Sequence, residues 1–90
     1  MYRFPRTIFV TRNSIPRQLL HIASELWEVV KALAFGNLPH AVHEAFDCIH
    51  SLETLIRIVV DRAWQRGVVI NSILIGQRVE EKNRLRGYYR

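Results

Sequence analysis

Ninety residues, 49% of them apolar, supply one hydrophobic core, and a chain this small folds with a thin margin, so association with further copies of itself is expected. The net charge of +5, from 13 Lys and Arg against 8 Asp and Glu, fits a polyanionic partner, either nucleic acid or nucleotide phosphate. The one cysteine, Cys48, excludes an internal disulfide framework, no apolar run approaches the roughly 20 residues of a bilayer-spanning helix, and the first residues lack a signal peptide's apolar core, so a soluble cytoplasmic protein without a membrane partner is expected.

Residues 1–15 hold Pro5, the β-branched Ile8, Val10 and Thr11, and the pair Asn13-Ser14, which reads as an extended N-terminal arm leading into a helix cap. Pro16 suits a first helical turn, where its missing N–H costs nothing. From there to about Phe35, Leu19, Leu20, Ile22, Leu26, Trp27, Val29, Val30 and Leu33 cover most of a helix circumference, the pattern of a helix buried on several sides. Gly36-Asn37-Leu38-Pro39 breaks the helix and starts a second one, which should run from about His40 to Arg66 with Gly67 at its end. Val68 to Ile75 would also suit a strand, but Asn71 as a cap and the charged run that follows favour a third helix to about Arg86. Nothing in the chain divides it, so residues 1–90 are expected to form a single all-α domain: an antiparallel helical hairpin plus a third helix, a bundle completed by oligomerisation, with a basic C-terminal segment over 80–90.

The acids are more informative than the net charge. Gln18, His21, Glu25 and Glu28 recur at steps of three and four and form one polar stripe on an otherwise apolar rod. His40, His43 or Glu44, Asp47, His50 or Ser51, and Thr54 repeat the arrangement on the second helix. A short loop makes the two helices antiparallel neighbours, so the stripes near the shared turn can oppose each other. Two like charges 4 Å apart repel by about 4 kcal/mol at an effective dielectric of 20, and desolvation adds several more. Such acids need shared protons, cationic partners or a divalent metal, and magnesium suits an all-oxygen cluster. A solvated acidic face is the plain alternative, and the i, i+3 spacings of His40 with His43 and Asp47 with His50 leave a di-iron or zinc bundle open. Further on, Lys82 and Arg86 lie one turn apart with Asn83 alongside, a face suited either to phosphate oxygens or simply to keeping a tail in solution.

Glu25-x-x-Glu28, a 15-residue gap and Glu44-x-x-Asp47 together resemble the MazG-like all-alpha NTP pyrophosphohydrolase superfamily, which includes the dimeric dUTPases. Ser24-Glu25-Leu26-Trp27-Glu28 is similar to that family's Glu-Glu-x-x-Glu with serine at the first acid, and Lys82-Asn83-x-x-Arg86-Gly87 is similar to its C-terminal Lys-Asn-x-x-Arg-Gly segment. The resemblance implies that Glu25, Glu28, Glu44 and Asp47 hold Mg²⁺, with Mn²⁺ as a substitute, and form the catalytic centre. It implies that Lys82, Arg86 and Lys31 meet the triphosphate with Asn83 assisting, and that a nucleoside triphosphate is split into monophosphate and pyrophosphate. A homodimer or homotetramer is implied as well. Under this reading nucleic acid is not the partner, because a nucleic-acid binder has no reason to set paired carboxylates opposite one another. The competing expectations are a basic helical nucleic-acid-binding module and a catalytically silent assembly protein that keeps the fold.

Overall fold

A computed structural model describes residues 2–89, and among them every regular element is helical: α1 Phe9–Arg12, α2 Ile15–Ala34, α3 Leu38–Gln65 and α4 Ser72–Leu85. Each longer helix starts at a side chain able to take up an orphan backbone donor. The Ser14 hydroxyl accepts the Arg17 N–H at 3.2 Å, and the Asn37 and Asn71 side chains accept from His40 and Leu74. Pro16 and Pro39 occupy first-turn positions of α2 and α3.

The turn between α2 and α3 is short and closed by hydrogen bonds. Gly36 takes φ +72°, the Gly36 N–H reaches Leu33 O at 3.1 Å and the Asn37 N–H reaches Ala32 O at 3.0 Å, so Gly36 ends one helix while Asn37 caps the next. The chain therefore doubles back tightly, and α2 and α3 pack antiparallel as the dominant contact of the molecule. Ala32 and Ala41, both buried, lie nearest the turn, where small side chains let the two backbones approach. At the far end the same capping pattern at Gly67, with φ +81°, stops α3 through Val68 N–H to Ala63 O at 2.8 Å.

The N-terminal arm departs from the extended reading. Residues 9–12 form the single turn α1, which lies on α3 and buries Val10, the apolar residue of that turn. Long polar side chains of α3 strap the arm down. The Glu53 carboxylate accepts the Arg3 and Phe4 N–H groups at 2.8–3.0 Å, and the Arg57 guanidinium donates to Phe4 O at 2.8 Å and stacks over the Tyr2 ring. Arg6 pairs with Asp61 at 2.6 Å. Backbone donors without a sheet or helix to serve them are satisfied this way.

The expectation that α2 is buried on several sides does not hold within the chain: Leu20 is 73% and Trp27 59% exposed, and only Gln18 and Ala32 of this helix are buried. One neighbour can cover only one side of a rod. Among the described residues the buried apolar ones are Val10, Ala32, Ala41 and Ile58, a small core for this length. Helix α4 buries none of its residues and stands off α3 across an apolar groove of about 510 Å³ lined by Leu55, Ile56, Val59, Val60, Ile75 and Val79, with the Tyr2 and Ser72 hydroxyls hydrogen-bonded at 3.0 Å.

Ile58, with no exposed surface, is the largest apolar side chain fully enclosed. Ile58→Ala is expected to cost about 2–4 kcal/mol through lost burial and the cavity left behind, read as a lower urea midpoint at unchanged slope. The same truncation at Leu85, which is 81% exposed, should cost less than about 0.5 kcal/mol.

Candidate functional site

The tight turn sets the register of α2 against α3, and that register brings the two polar stripes together. Gln18, His21 and Glu25 of α2 face Asp47, His50, Ser51 and Thr54 of α3 across a cleft of about 110 Å³, with Thr7 and Phe9 of the N-terminal segment completing its wall. Its floor is polar yet satisfied. Gln18 is 1% exposed; its amide donates to Ser51 O at 2.9 Å, and its oxygen accepts from the Asn13 side chain at 2.8 Å. A buried amide without those partners would cost about 1–3 kcal/mol.

Towards the shared turn the stripes become acidic. One carboxylate oxygen from each of Glu25, Glu44 and Asp47 lies within 4.8 Å of the other two. The Glu44 and Glu25 side chains are only 13% and 20% exposed, whereas that of Asp47 is 46% exposed. At this separation each pair repels by roughly 3–4 kcal/mol at an effective dielectric of 20, and by less where Asp47 is screened by water. Each acid also has a histidine one helical turn earlier: His21 beside Glu25 at 3.2 Å, His40 beside Glu44 at 3.3 Å and His43 beside Asp47 at 3.5 Å. The imidazoles beside the acids, or a cation held among the carboxylates, would offset the repulsion. His40, His43 and Glu44 form a second, more exposed group of possible ligand atoms that shares Glu44 with the first.

The donor set fits magnesium. An octahedral shell with bonds of about 2.1 Å sets cis oxygens about 3.0 Å and trans oxygens about 4.2 Å apart, so the three carboxylates, within 4.8 Å of one another, would close in through side-chain rotation to share an ion. Two further polar atoms beside the cleft stand without a partner. Thr7 Oγ1 and His50 Nε2 are buried, have no hydrogen-bond partner among the described residues, and belong to residues lining the cleft. Buried polar atoms are rarely left so. Stacking of the His50 ring on Phe4, with centroids 4.6 Å apart, holds the imidazole in place.

The remaining sequence candidates lie apart from this group. The Glu28 side chain is 45% exposed and is held by Lys31 Nζ at 2.9 Å, so neither lines the cleft. Lys82, Asn83 and Arg86 sit at the end of α4 and do not line it either; in the same stretch Arg84 pairs with Glu80 and Glu81. Thr7 and Phe9 in the wall of the cleft, and Asn13 behind its floor on Gln18, were not legible as site residues, because a single helical turn and a strap of side-chain hydrogen bonds, rather than any periodic pattern, bring them there.

Gln18→Leu keeps the volume and removes both amide hydrogen bonds, leaving the Asn13 side chain without its acceptor. A loss of about 1–2 kcal/mol in chemical denaturation is expected, with faster amide exchange over residues 10–14. Comparison with protein-family models, curated proteins and solved structures gave no significant match.

Proposed function

We propose that this chain is a magnesium-dependent nucleoside triphosphate pyrophosphohydrolase. The observation that carries the reading is the convergence of Glu25, Glu44 and Asp47 from two helices onto one spot, beside a cleft holding two unpartnered buried polar atoms. The motif resemblance supplies the reaction class, and the geometry supports it by bringing three of the motif's four acids, Glu25, Glu44 and Asp47, together. A divalent cation held by these carboxylates would neutralise phosphate charge and make water a better nucleophile. The residues of the chain do the positioning. Thr7 Oγ1 and His50 Nε2 offer hydrogen bonds to phosphate oxygens, and His21 stays against Glu25 and orients it. Glu28, once it gives up Lys31, is the fourth carboxylate of the set, and Lys31 is then available to a phosphate. Lys82, Asn83 and Arg86 would reach the triphosphate through a change in the placement of α4, which buries none of its residues.

The nucleic-acid reading is weaker because it gives no role to the converging carboxylates, and several of the 13 cationic side chains are engaged within the chain. Arg6 pairs with Asp61, Arg57 with Phe4 O, Arg62 with Asn13 O and Arg84 with two glutamates.

A panel of canonical and modified nucleotides should release pyrophosphate from at least one substrate in Mg²⁺ and from none in EDTA. Glu25→Gln and Glu44→Gln are each expected to lower that rate by at least about 100-fold, and Glu28→Gln by about tenfold, with helical content by circular dichroism unchanged. Turnover that survives Glu44→Gln, or that ignores Mg²⁺, would remove the assignment.

A further inference from the structure

Glu44 belongs to two groups of donor atoms, and the second differs in chemistry from the first. His40, His43 and Glu44 lie in the first two turns of α3, where one ring nitrogen from each histidine and one oxygen of Glu44 all fall within 4.8 Å of one another. His40 Nε2 is 3.3 Å and His43 Nδ1 4.0 Å from the same atom, Glu44 Oε1. The two imidazole planes are within 10° of parallel, with centroids 6.2 Å apart. Both rings are exposed while the Glu44 side chain is only 13% exposed, so an ion arriving from solvent meets two imidazoles in front of a nearly buried carboxylate. The Asn37 side chain, which accepts the His40 N–H at 3.2 Å, fixes the start of the backbone that carries all three donors.

Donor type separates the two groups. Glu25, Glu44 and Asp47 offer oxygen alone, which suits magnesium, whereas two imidazole nitrogens and one carboxylate oxygen are the set preferred by zinc and its divalent neighbours among the transition metals. A tetrahedral ion with bonds of about 2.0–2.1 Å sets its donors about 3.3–3.4 Å apart. The His40–Glu44 separation of 3.3 Å already meets that requirement, and the His43–Glu44 separation of 4.0 Å closes to it by rotation of an exposed ring. Charge works in the same direction. The N-terminus of a helix contributes roughly half a positive charge, and here it is set against the carboxylates of Glu25, Glu44 and Asp47.

We infer that His40, His43 and Glu44 form a site for a zinc-type transition-metal dication, with the fourth coordination position open to water. The site is separate from the all-oxygen group but coupled to it through Glu44. An ion held by the imidazoles engages the carboxylate that magnesium would also use, and two dications sharing one carboxylate repel, so each ion lowers the other's affinity by the same factor. The site itself does not depend on the hydrolase reading. Its coupling to magnesium rests on the all-oxygen group of that reading.

Titration of the full chain, without a polyhistidine tag, with Co²⁺ at neutral pH tests it. Visible absorption reports the ion, because it intensifies when Co²⁺ becomes tetrahedral, and Zn²⁺ should displace it. One Co²⁺ per chain is expected. His40→Ala and His43→Ala should each weaken Co²⁺ binding by at least about tenfold. Helical content should be unchanged, since both side chains are exposed. Glu25→Gln, which removes a donor of the other group only, should alter Co²⁺ affinity by less than about threefold. Excess Mg²⁺ should weaken Co²⁺ binding about fivefold or more in the wild type and not in Glu25→Gln. No change in absorption with excess Co²⁺, binding that survives both histidine substitutions, or a loss in Glu25→Gln as large as in His43→Ala would each overturn the site. Co²⁺ affinity that ignores Mg²⁺ in the wild type would overturn the coupling. Pyrophosphate release is not one of the readouts, so failure of the enzymatic reading and failure of the metal site are told apart.

Discussion

The closure of α2 onto α3 through three residues, Phe35 to Asn37, is the constraint on which the rest of the molecule depends. A longer loop would let the helices slide and rotate against each other. Here Gly36 adopts a backbone conformation open to few other residues, and the Asn37 side chain starts the next helix at once, so the register has little freedom. Everything on the inner side of the pair follows from that register: the small side chains Ala32 and Ala41 near the turn, the three acids next, and the Gln18–Ser51 hydrogen bond beyond them.

A conventional two-helix pair would line its seam with aliphatic side chains. This one places Gln18, Ser51 and Thr54 among its most buried positions, alongside Ile58, Ala32 and Ala41, and crowds carboxylates nearby, an arrangement that stabilises poorly and must be satisfied bond by bond. Natural chains depart from such packing rules mainly where function requires it. The N-terminal segment belongs to the same device. Glu53 and Arg57 hold Phe4, Phe4 holds His50, and the strapped chain carries Thr7 and Phe9 to the wall of the cleft. Much of the apolar surface is left outside, with Leu20, Trp27, Phe35 and Trp64 among the exposed side chains.

Much of the organisation was legible. Ser14, Pro16, Gly36, Pro39, Gly67 and Asn71 are local signals, each acting within a few residues, so helix limits could be read to within one or two positions. The opposition of the stripes was legible too, because a short turn forces it. What escaped depends on the partners that side chains find: the turn α1 within a segment read as extended, the strap from Glu53, and the Glu28–Lys31 ion pair. The breadth of apolar residues on α2 was legible, but burial within one chain was the wrong meaning for it, since a lone hairpin partner covers only one side.

The sequence by itself determined which stretches are helical and where each polar and apolar stripe lies along its helix, because caps, breakers and a period of 3.6 residues are short-range properties of the backbone. Only the tertiary structure decided that Glu25, Glu44 and Asp47 converge while Glu28 does not, and that Lys82, Asn83 and Arg86 lie apart from them. Separations of a few ångströms between helices depend on how the rods are rotated and tilted against one another and on which competing partner each long side chain finds. A one-dimensional pattern does not encode either.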